Sequence, residues 1–465
     1  MSVNRIPGSF RDPSGFLYLS EETLLRQVNQ SYAAHFDHLV SSGLYEQLVT
    51  EGLLIEHQVV DNSLRATDDV YCVLKPELIP HLSYPYEWSF SQLKDAALLT
   101  LDVQRQALEK GMTLKDASAY NVQFLRGRPV FIDSLSFEIN EEGAPWIAYR
   151  QFCQHFLAPL AIMANVDISL NQLFRTNIDG IPLHIATSML PWRTKLNPGL
   201  YMHIWLHVRS QVAATQSQRS SEQSASNKPS KQFSQNAFYG LIDSLRGAIQ
   251  KLEWKPGGSE WFDYYQANNN YGEDGLEYKE NLVKQFVSKA KPSSVWDLGG
   301  NTGHFSRLAA AEGASVVCWD IDPGCVESNY RQVSQEQETN ILPLLIDLSN
   351  PSPSIGWANS ERLSISERGP VEMIMALGLI HHLAIANNVP LPDVSEFLKK
   401  NCKWLLIEFV PRGDGQIDKL LSSRQDVFSE YTPEGFEKAF SQDFEIVDKV
   451  PVPATKRTLY LMQAF

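Results

Sequence analysis

Residues 295–310 read VWDLGGNTGHFSRLAA, with three glycines and an asparagine between a strand-like run and an amphipathic helical run. A short apolar run, small turn residues and then helical spacing indicate strand, tight turn and helix. Glycine allows the backbone of such a turn to approach a ligand closely. The stretch therefore predicts a binding turn, and the segments around it decide which ligand the turn binds.

The chain beyond this turn alternates between strand-like and helical segments. Alternation of this kind implies a mostly parallel sheet with right-handed crossovers, and ligands bind at the carboxyl ends of such strands. The predicted strands are residues 294–298, 314–319, 341–346, 371–380, 404–409 and 458–462.

Aspartates stand at the ends of the first three predicted strands, as Asp297, Asp320 and Asp347. Parallel strands share one carboxyl edge, so we expect these side chains to lie near one another. An acid at the position of Asp320 suits the ribose of NAD, but it suits the ribose of other nucleoside cofactors equally, so this residue alone does not identify the cofactor. A Rossmann-like domain with ordinary surface acids remains the structural alternative.

The turn has the order D-x-G-x-N-x-G, whereas a dinucleotide-binding turn needs G-x-G-x-x-G. It resembles motif I of class I S-adenosylmethionine (SAM) methyltransferases, which usually have glycine where Asn301 stands. The resemblance implies an acid near the ammonium group of SAM, backbone N–H groups at its carboxylate, and further contacts to ribose and adenine. The implied cofactor-binding residues are Asp297, Gly299, Gly300, Asn301, Gly303, Asp320 (ribose), Asp347 and Leu348 (adenine).

Four further segments resemble the NoeA-like nodulation proteins, a family of methyltransferase type. This resemblance implies a carboxy-terminal, Rossmann-like, seven-stranded methyltransferase fold and SAM-dependent methyl transfer, and it leaves the acceptor open. The segments are DLSNPSP (347–353), IHHLAIANNVPL (380–391), IEFVP (407–411) and RTLYLM (457–462).

Methyl transfer from a sulfonium needs alignment of the reactants and, for an oxygen or nitrogen acceptor, a base. His381 and His382 follow the fourth strand, and Glu408 ends the fifth, so these three residues are the catalytic candidates. The alternative is that one histidine caps the strand or contacts the cofactor while the other packs inward. Four aromatic residues before the first predicted strand could form a lid over substrate and cofactor or seal a domain edge: Trp261, Tyr264, Tyr265 and Tyr271.

A second motif lies in the amino-terminal half, where residues 114–137 read LKDASAYNVQFLRGRPVFIDSLSF. Asp116, Asn121 and, after an apolar run, Asp133 resemble the catalytic loop and metal-binding strand of protein kinases and aminoglycoside phosphotransferases. The resemblance implies an α+β kinase-like domain with a magnesium-ATP site at these three residues. Plain turn formation by the same side chains is the alternative.

This amino-terminal motif departs from the kinase pattern in several places. No glycine-rich loop precedes it, Leu114 replaces the usual histidine, and Leu135 stands where glycine follows the metal-binding aspartate. No nucleotide-binding lysine is evident, and Arg26 is the candidate for that strand position. An active phosphotransferase, a scaffold, an acceptor-binding module and a nucleotide-binding relic therefore all remain open.

Composition limits the other classes of function. The net charge of −14 disfavours nucleic acid as a partner unless basic residues are segregated on one face. Five cysteines without a C-x-x-C pair predict reduced thiols rather than a disulfide frame or metal site. We find no signal-type apolar region and no run near the roughly 20 residues of a membrane span, so we expect a soluble cytoplasmic protein.

The length of 465 residues predicts more than one domain. The Ser- and Gln-rich segment 213–235 predicts a flexible linker between a kinase-like domain, 1–212, and a methyltransferase domain, 236–465. The predicted function is methyl transfer from SAM to an oxygen or nitrogen of a small or carrier-linked metabolite. The alternatives are a regulatory SAM-binding protein, a bifunctional protein with phosphotransfer, and methylation of protein or RNA.

Overall fold

The computed structural model describes residues 4–210, 234–257, 272–422 and 427–465. The chain forms two compact units, one of Met1–Trp254 with Gly356–Arg362 and one of Lys255–Ile355 with Leu363–Phe465. Residues 213–233 of the predicted linker lie outside the described residues, as do the four aromatic residues of the predicted lid, Trp261, Tyr264, Tyr265 and Tyr271.

The boundary between the units differs from the predicted break at 213–235. The helix Gln235–Gln250 belongs to the first unit, which ends at Trp254. This helix buries Phe238, Ile242, Leu245 and Ile249, and its Arg246 pairs with Asp102. A polar composition predicts a linker, but it does not show to which unit the following amphipathic helix belongs.

The first unit begins with a five-stranded antiparallel sheet in the order β1-β2-β3-β5-β4. One face of the sheet buries Phe16, Tyr18 and Leu25, because apolar side chains alternate along the strands. Two helices connect β3 to β4. The bounds are β1 Asn4–Arg5, β2 Gly15–Ser20, β3 Thr23–Asn29, α1 Ala33–Ser41, α2 Leu44–Thr50, β4 His57–Val60 and β5 Val70–Pro76.

The rest of the first unit is mainly helical around a long central helix, α3, Phe90–Glu109. Ser89 and Gln92 form a capping box at its start, which satisfies two backbone donors. Two small two-stranded sheets follow: β6 pairs with β9, and β7 and β8 form a hairpin between them in the chain. The bounds are β6 Met112–Leu114, β7 Val122–Leu125, β8 Arg128–Phe131, β9 Phe137–Ile139, α4 Tyr149–Phe152, α5 Ala158–Asn165, α6 Leu173–Thr176, α7 Leu183–Met189, α8 Pro198–Leu200 and α9 Gln235–Gln250.

The second unit is built on a seven-stranded sheet in the order β12-β11-β10-β13-β14-β16-β15. The first five of these strands are parallel, and β16 runs antiparallel to both of its neighbours. The bounds are α10 Gly272–Ala290, β10 Ser294–Leu298, α11 His304–Ala311, β11 Ser315–Asp320, α12 Pro323–Glu336, β12 Ile341–Leu345, β13 Val371–Ala376, α13 Leu391–Asn401, β14 Cys402–Phe409, α14 Gly415–Leu421, α15 Pro433–Phe440, β15 Phe444–Pro451 and β16 Thr458–Ala464.

The strand order places a ligand site at the carboxyl ends of β10 and β13. The chain adds strands on one side of β10 as far as β12 and then crosses to the other side with β13, so these neighbours form the topological switch point. Helices α10 and α11 close one face of this sheet over a core that includes Val283, Phe286, Val295 and Met373. The packed core thus holds the glycine turn rigidly.

Each of the five cysteines is buried and has a free thiol. Among the described residues, we find no helix with the length and apolar character needed to span a membrane.

Candidate cofactor site

The glycine turn connects the end of β10 to the start of α11. Gly299 and Gly303 have φ angles of 73° and 81°, in the left-handed region that favours glycine. The N–H groups of Gly299 and Gly300 both donate to the carbonyl oxygen of Trp319, at 2.8 Å and 3.0 Å. The turn is therefore anchored to the end of β11, beside the second predicted acid.

Gly300 is required by packing within the unit. A Cβ atom at Gly300 would lie 2.5 Å from Cys318 Sγ and 2.8 Å from Asp297 Oδ2. Both side chains are buried, so neither can move aside easily. Asn301, where the methyltransferase motif usually has glycine, has a φ of 52°. Asparagine tolerates this left-handed conformation better than most residues, which explains why it replaces glycine here.

Asp297 lies beneath the turn and is almost fully buried. Its Oδ2 accepts a hydrogen bond of 2.6 Å from Ser306 Oγ on α11. Burial raises the pKa of Asp297 to about 6, and the neighbouring Asp320 contributes in the same direction. The carboxylate thus links strand and helix, and its contact with the ammonium of SAM stays a prediction.

Asp320 ends β11 and is fastened by two backbone donors. Its Oδ2 accepts from Asn301 N at 2.7 Å, and its Oδ1 accepts from Asp322 N at 2.8 Å. Each carboxylate oxygen has a second acceptor site, so the pair is preorganised for two adjacent hydroxyl groups. Burial raises the pKa of Asp320 to about 6.

Asp347 follows β12 in a turn beside Asp320. The N–H of Ile346 donates to the carbonyl oxygen of Asp320 at 2.8 Å, which joins the two strand ends. Asp347 Oδ1 accepts from Ser349 N at 2.8 Å and from Ser349 Oγ at 2.6 Å. Asp347 and Leu348 are both partly exposed, so the structure leaves both accessible to a ligand.

His381 and His382 lie in the segment that follows β13, with their ring centroids 4.1 Å apart. His381 is 2% exposed, and neither of its ring nitrogens has a hydrogen-bond partner within the described parts of the chain. Burial lowers the pKa of His382 to about 4 and the pKa of His381 well below its ordinary value. Both imidazoles are therefore neutral near pH 7.

Glu408 is fully buried in a network of charges. Its Oε2 lies 2.8 Å from Lys279 Nζ and 3.9 Å from Arg457 Nη1. Arg457 in turn binds Asp414 through its Nε, at 2.8 Å. A carboxylate held by two cations is a weak proton acceptor, so this geometry favours a positioning role for Glu408, and its role as a base stays a prediction.

Lys279 is a functional-site candidate that the sequence interpretation missed. Its side chain is buried on α10 and lies 4.7 Å from the ring centre of Phe305. A signal was present, because Lys279 stands between Leu276 and Val283, at the spacing of the apolar face of that helix. A lysine in an apolar stripe indicates a buried partner, which here is Glu408.

A cleft of about 440 Å³ lies beside the turn that follows the two histidines, which is in the size range of small-molecule sites. The loop after β13 contributes Ala384 and Leu391, and the segment before α15 contributes Phe428 and Tyr431. Lys438 of α15 also lines it. The cleft shares no residue with the glycine turn, so it is separate from the predicted cofactor contacts.

In the first unit, the three residues of the kinase-type motif lie in one polar network. Asn121 Nδ2 donates to Ser136 Oγ at 3.1 Å, and Ser136 Oγ donates to Asp133. Burial and the nearby Asp133 raise the pKa of Asp116, whereas its hydrogen bond with Asn121 lowers it. Asp116 also accepts from Ser118 N at 2.9 Å, in the manner of a turn former.

Arg26, on β3, forms an ion pair with Asp133. Asp133 additionally accepts from Leu135 N at 3.1 Å, so its carboxylate is bonded on several sides. Lys115 Nζ, next to Asp116, bonds Ser14 Oγ at 2.7 Å. Across the ranges that the structure describes, no group of three or more His, Cys, Asp or Glu side chains is arranged to hold a metal ion.

One comparison decides the family. Nodulation protein NoeA of Rhizobium meliloti (strain 1021) is 36% identical over 462 residues, which covers 99% of this chain and 96% of the relative. The chain belongs to the NoeA family. No family model matches the sequence.

Solved structures also resemble part of this NoeA-family chain. A SAM-dependent methyltransferase from Aquifex aeolicus is 18% identical, with a TM-score of 0.32, and it covers 44% of this chain and 100% of its own. N-methyltransferase NodS from Bradyrhizobium japonicum WM9 is 9% identical, with a TM-score of 0.32, and it covers 42% of this chain and 98% of its own. The methyltransferase interpretation of the second unit rests on its strand order and its site.

Proposed function

We propose that the second unit binds SAM and transfers its methyl group to an oxygen or nitrogen of a small or carrier-linked metabolite. The observation that carries this proposal is the position of Asp320, which accepts hydrogen bonds from the N–H groups of Asn301 and Asp322 at the end of β11, next to the switch-point strand β10. Two oriented acceptors at that place suit a ribose. The name of NoeA refers to nodulation, which is a process rather than a reaction, so the support for methyl transfer comes from the site.

The surrounding residues fit the remaining parts of SAM. The turn that contains Gly299 and Asn301 begins α11, where backbone N–H groups and the helix dipole suit a carboxylate. Asp347 and the N–H of Leu348, at the next strand end, suit the amino group and a ring nitrogen of adenine. When bound, SAM supplies a methyl group that is already activated by its sulfonium, so the chain supplies binding and alignment.

His381 is the group that we assign to accept the proton of the methyl acceptor. Its imidazole is buried and has no hydrogen-bond partner among the described residues, and a buried polar group in this state calls for a ligand to complete its bonds. Burial lowers its pKa, so it is a weak base in the unliganded protein, and the assignment rests on its position and its open bonds. The cleft lined by Ala384, Tyr431 and Lys438 combines apolar and charged side chains, which suits an acceptor with an apolar body and polar substituents, although His381 is not among its lining residues.

Titration calorimetry of the full-length protein with SAM tests this function, followed by an acceptor screen that measures release of S-adenosylhomocysteine. We expect saturable SAM binding and acceptor-dependent release that falls strongly in His381→Asn and much less in His382→Asn. A protein or RNA acceptor in the screen would replace the small-molecule assignment. Absence of SAM binding would refute the proposal and favour a non-enzymatic role.

The affinity for SAM is expected to depend on pH. Asp320 accepts two hydroxyl groups only as a carboxylate, and burial raises its pKa to about 6, above the ordinary range of an aspartate. Because its pKa is raised, protonated Asp320 stabilises the unliganded fold at low pH. This contribution is lost as pH rises through 6, and the carboxylate that forms there is the state that binds SAM. We expect affinity about tenfold lower at pH 5 than at pH 7.5.

Calorimetry across this pH range measures the effect, and Asp320→Asn separates its source. The variant should show a flatter profile, since the titrating group is gone. A profile that keeps its slope in Asp320→Asn would assign the effect to Asp297, whose pKa is also about 6.

We propose that the first unit is kinase-like in fold. The support is a five-stranded antiparallel sheet with two helices between β3 and β4, and Arg26 on β3 next to Asp133. In protein kinases the corresponding strand carries the nucleotide lysine, and the aspartate binds magnesium. Here the guanidinium and Ser136 occupy that carboxylate, so we propose a unit without phosphotransfer.

Calorimetry with magnesium-ATP tests this proposal on wild type and Asp133→Asn. We expect no saturable binding to either protein, because Arg26 already neutralises Asp133. Binding to wild type that is lost in Asp133→Asn would instead support a bifunctional protein with a phosphotransferase site at Asp116, Asn121 and Asp133.

A further inference from the structure

A short segment between β12 and β13 belongs to the first unit. The chain leaves the second unit after Ile355, places Gly356–Arg362 with the first, and rejoins the second at Leu363. Glu361 fixes this segment, because Arg11 Nε donates to its Oε2 at 2.9 Å and Arg11 Nη2 to its Oε1 at 2.7 Å. The pair is bidentate, which gives geometric specificity as well as charge.

The Glu361 side chain is 2% exposed and is held from a second side by Trp357 N, 2.6 Å from Oε1. Burial alone would raise the pKa of Glu361, but the hydrogen bonds from Arg11 and Trp357 bring it below its ordinary value. An ion pair on the surface contributes little to stability. The Glu361 carboxylate is instead buried and bonded on two sides, so it is held in one conformation.

Two glycines show that the segment is closely fitted. A Cβ atom at Gly8 would lie 2.8 Å from the carbonyl oxygen of Glu361, and one at Gly356 would lie 2.6 Å from the Glu361 Cβ. The guanidinium of Arg362 lies 4.2 Å from the ring centre of Tyr120. Backbone, charge and aromatic contacts therefore all hold the tip of this excursion of the chain.

The base of the excursion is closed within the second unit. Ile365 N donates to the carbonyl oxygen of Ser352 at 3.2 Å. The carboxylate of Glu367 accepts from Ser364 N and Ser364 Oγ, both at 2.7 Å, and from Ser354 Oγ. The two sides of the loop are thus joined, so a restraint at the tip reaches the base rather than being lost in a flexible chain.

We propose that Arg11 and Glu361 are positioning residues for cofactor binding. Asp347, the proposed adenine contact, begins the loop whose base starts at Ser352 and whose tip ends at Arg362. Holding the tip preorders this loop, and preordering removes part of the entropy cost of ligand binding. The inference rests on the proposed function, because it requires SAM at the second unit.

The test is calorimetry with SAM on wild type, Arg11→Ala, Glu361→Gln and the double variant. We expect each single change to weaken SAM binding about 5- to 30-fold, and the double variant to be no weaker than the singles, because the pair acts as one device. Arg126→Ala is the matched control, since it removes an exposed arginine that is paired with Glu77 in the same unit. It should bind SAM as wild type does.

Trypsin cleavage after Arg362 provides a second measurement on the same proteins. We expect faster cleavage in Arg11→Ala and Glu361→Gln, and slower cleavage when SAM is added to wild type. Wild-type SAM binding with unchanged affinity in both single variants would overturn this inference alone. Failure of wild type to bind SAM would overturn the proposed function and this inference with it.

Discussion

Replacement of Asp320 by asparagine is expected to weaken SAM binding about 100-fold. Each hydrogen bond from a ribose hydroxyl to a charged carboxylate contributes roughly 1.5 kcal/mol or more, and two are changed at once. The amide also presents an NH₂ group to a backbone donor, because Asn301 N and Asp322 N already approach both oxygens. The site then has neither the charge nor two outward acceptors, and calorimetry measures the loss.

Asp322→Asn is the matched control for this change. Asp322 lies two residues away and caps α12, with its Oδ1 accepting from Gly324 N at 2.7 Å. Asparagine is an equally good cap, so this variant removes the same charge nearby without changing the helix start. Nearly unchanged affinity is expected there. Equal affinities of Asp320→Asn and wild type would remove Asp320 from the cofactor site.

Replacement of Lys279 by methionine is expected to destabilise the protein by about 3 kcal/mol. Glu408 is fully buried and loses its partner at 2.8 Å, while Arg457, at 3.9 Å, is already bonded to Asp414. A buried charge that has lost its nearest counter-charge is costly because the interior does not solvate it. Urea and thermal unfolding of the full chain measure the change as a lower midpoint.

The double variant Lys279→Met with Glu408→Met separates charge pairing from packing. Replacing both members of a buried ion pair by apolar residues of similar volume is often neutral for stability. We therefore expect the double variant to recover most of the stability that Lys279→Met loses. Additive losses in the two single variants and the double would show that the two side chains are not energetically coupled.

The same double variant also tests the role of Glu408. If Glu408 is a positioning residue, a folded double variant should retain acceptor-dependent release of S-adenosylhomocysteine at a reduced rate. Complete loss of release with intact SAM binding would favour the interpretation of Glu408 as a base. The two roles differ because a base must exchange a proton, whereas a positioning group only holds its neighbours.

Much of the second unit was predictable because its signals are local. The strand, turn and helix of residues 295–310 follow from apolar periodicity and from glycine conformations that are set within a few residues. Asp320 and Asp347 were predictable as neighbours because parallel strands present their carboxyl ends at one edge. The raised pKa of Asp297 was not predictable, because its burial depends on the helix that covers it.

The amino-terminal motif shows the limit of such arguments. The resemblance to kinases grouped Asp116, Asn121 and Asp133, but the ion pair of Arg26 with Asp133 connects a strand of the first sheet to a distant loop. A sequence motif shows which side chains are present. A partner elsewhere in the chain decides whether those side chains are free to bind a ligand. In the first unit that partner is Arg26, and binding of magnesium and nucleotide there stays a prediction.

The sequence by itself determined the alternation of strands and helices, the glycine turn and the acids at the strand ends, because each depends on neighbours in the chain. Only the tertiary structure decided the partners of Glu408 and Glu361, since Lys279 is 129 residues and Arg11 350 residues away. It also decided that α9 joins the first unit. Contacts over such separations arise from packing of whole elements, which local periodicity does not encode.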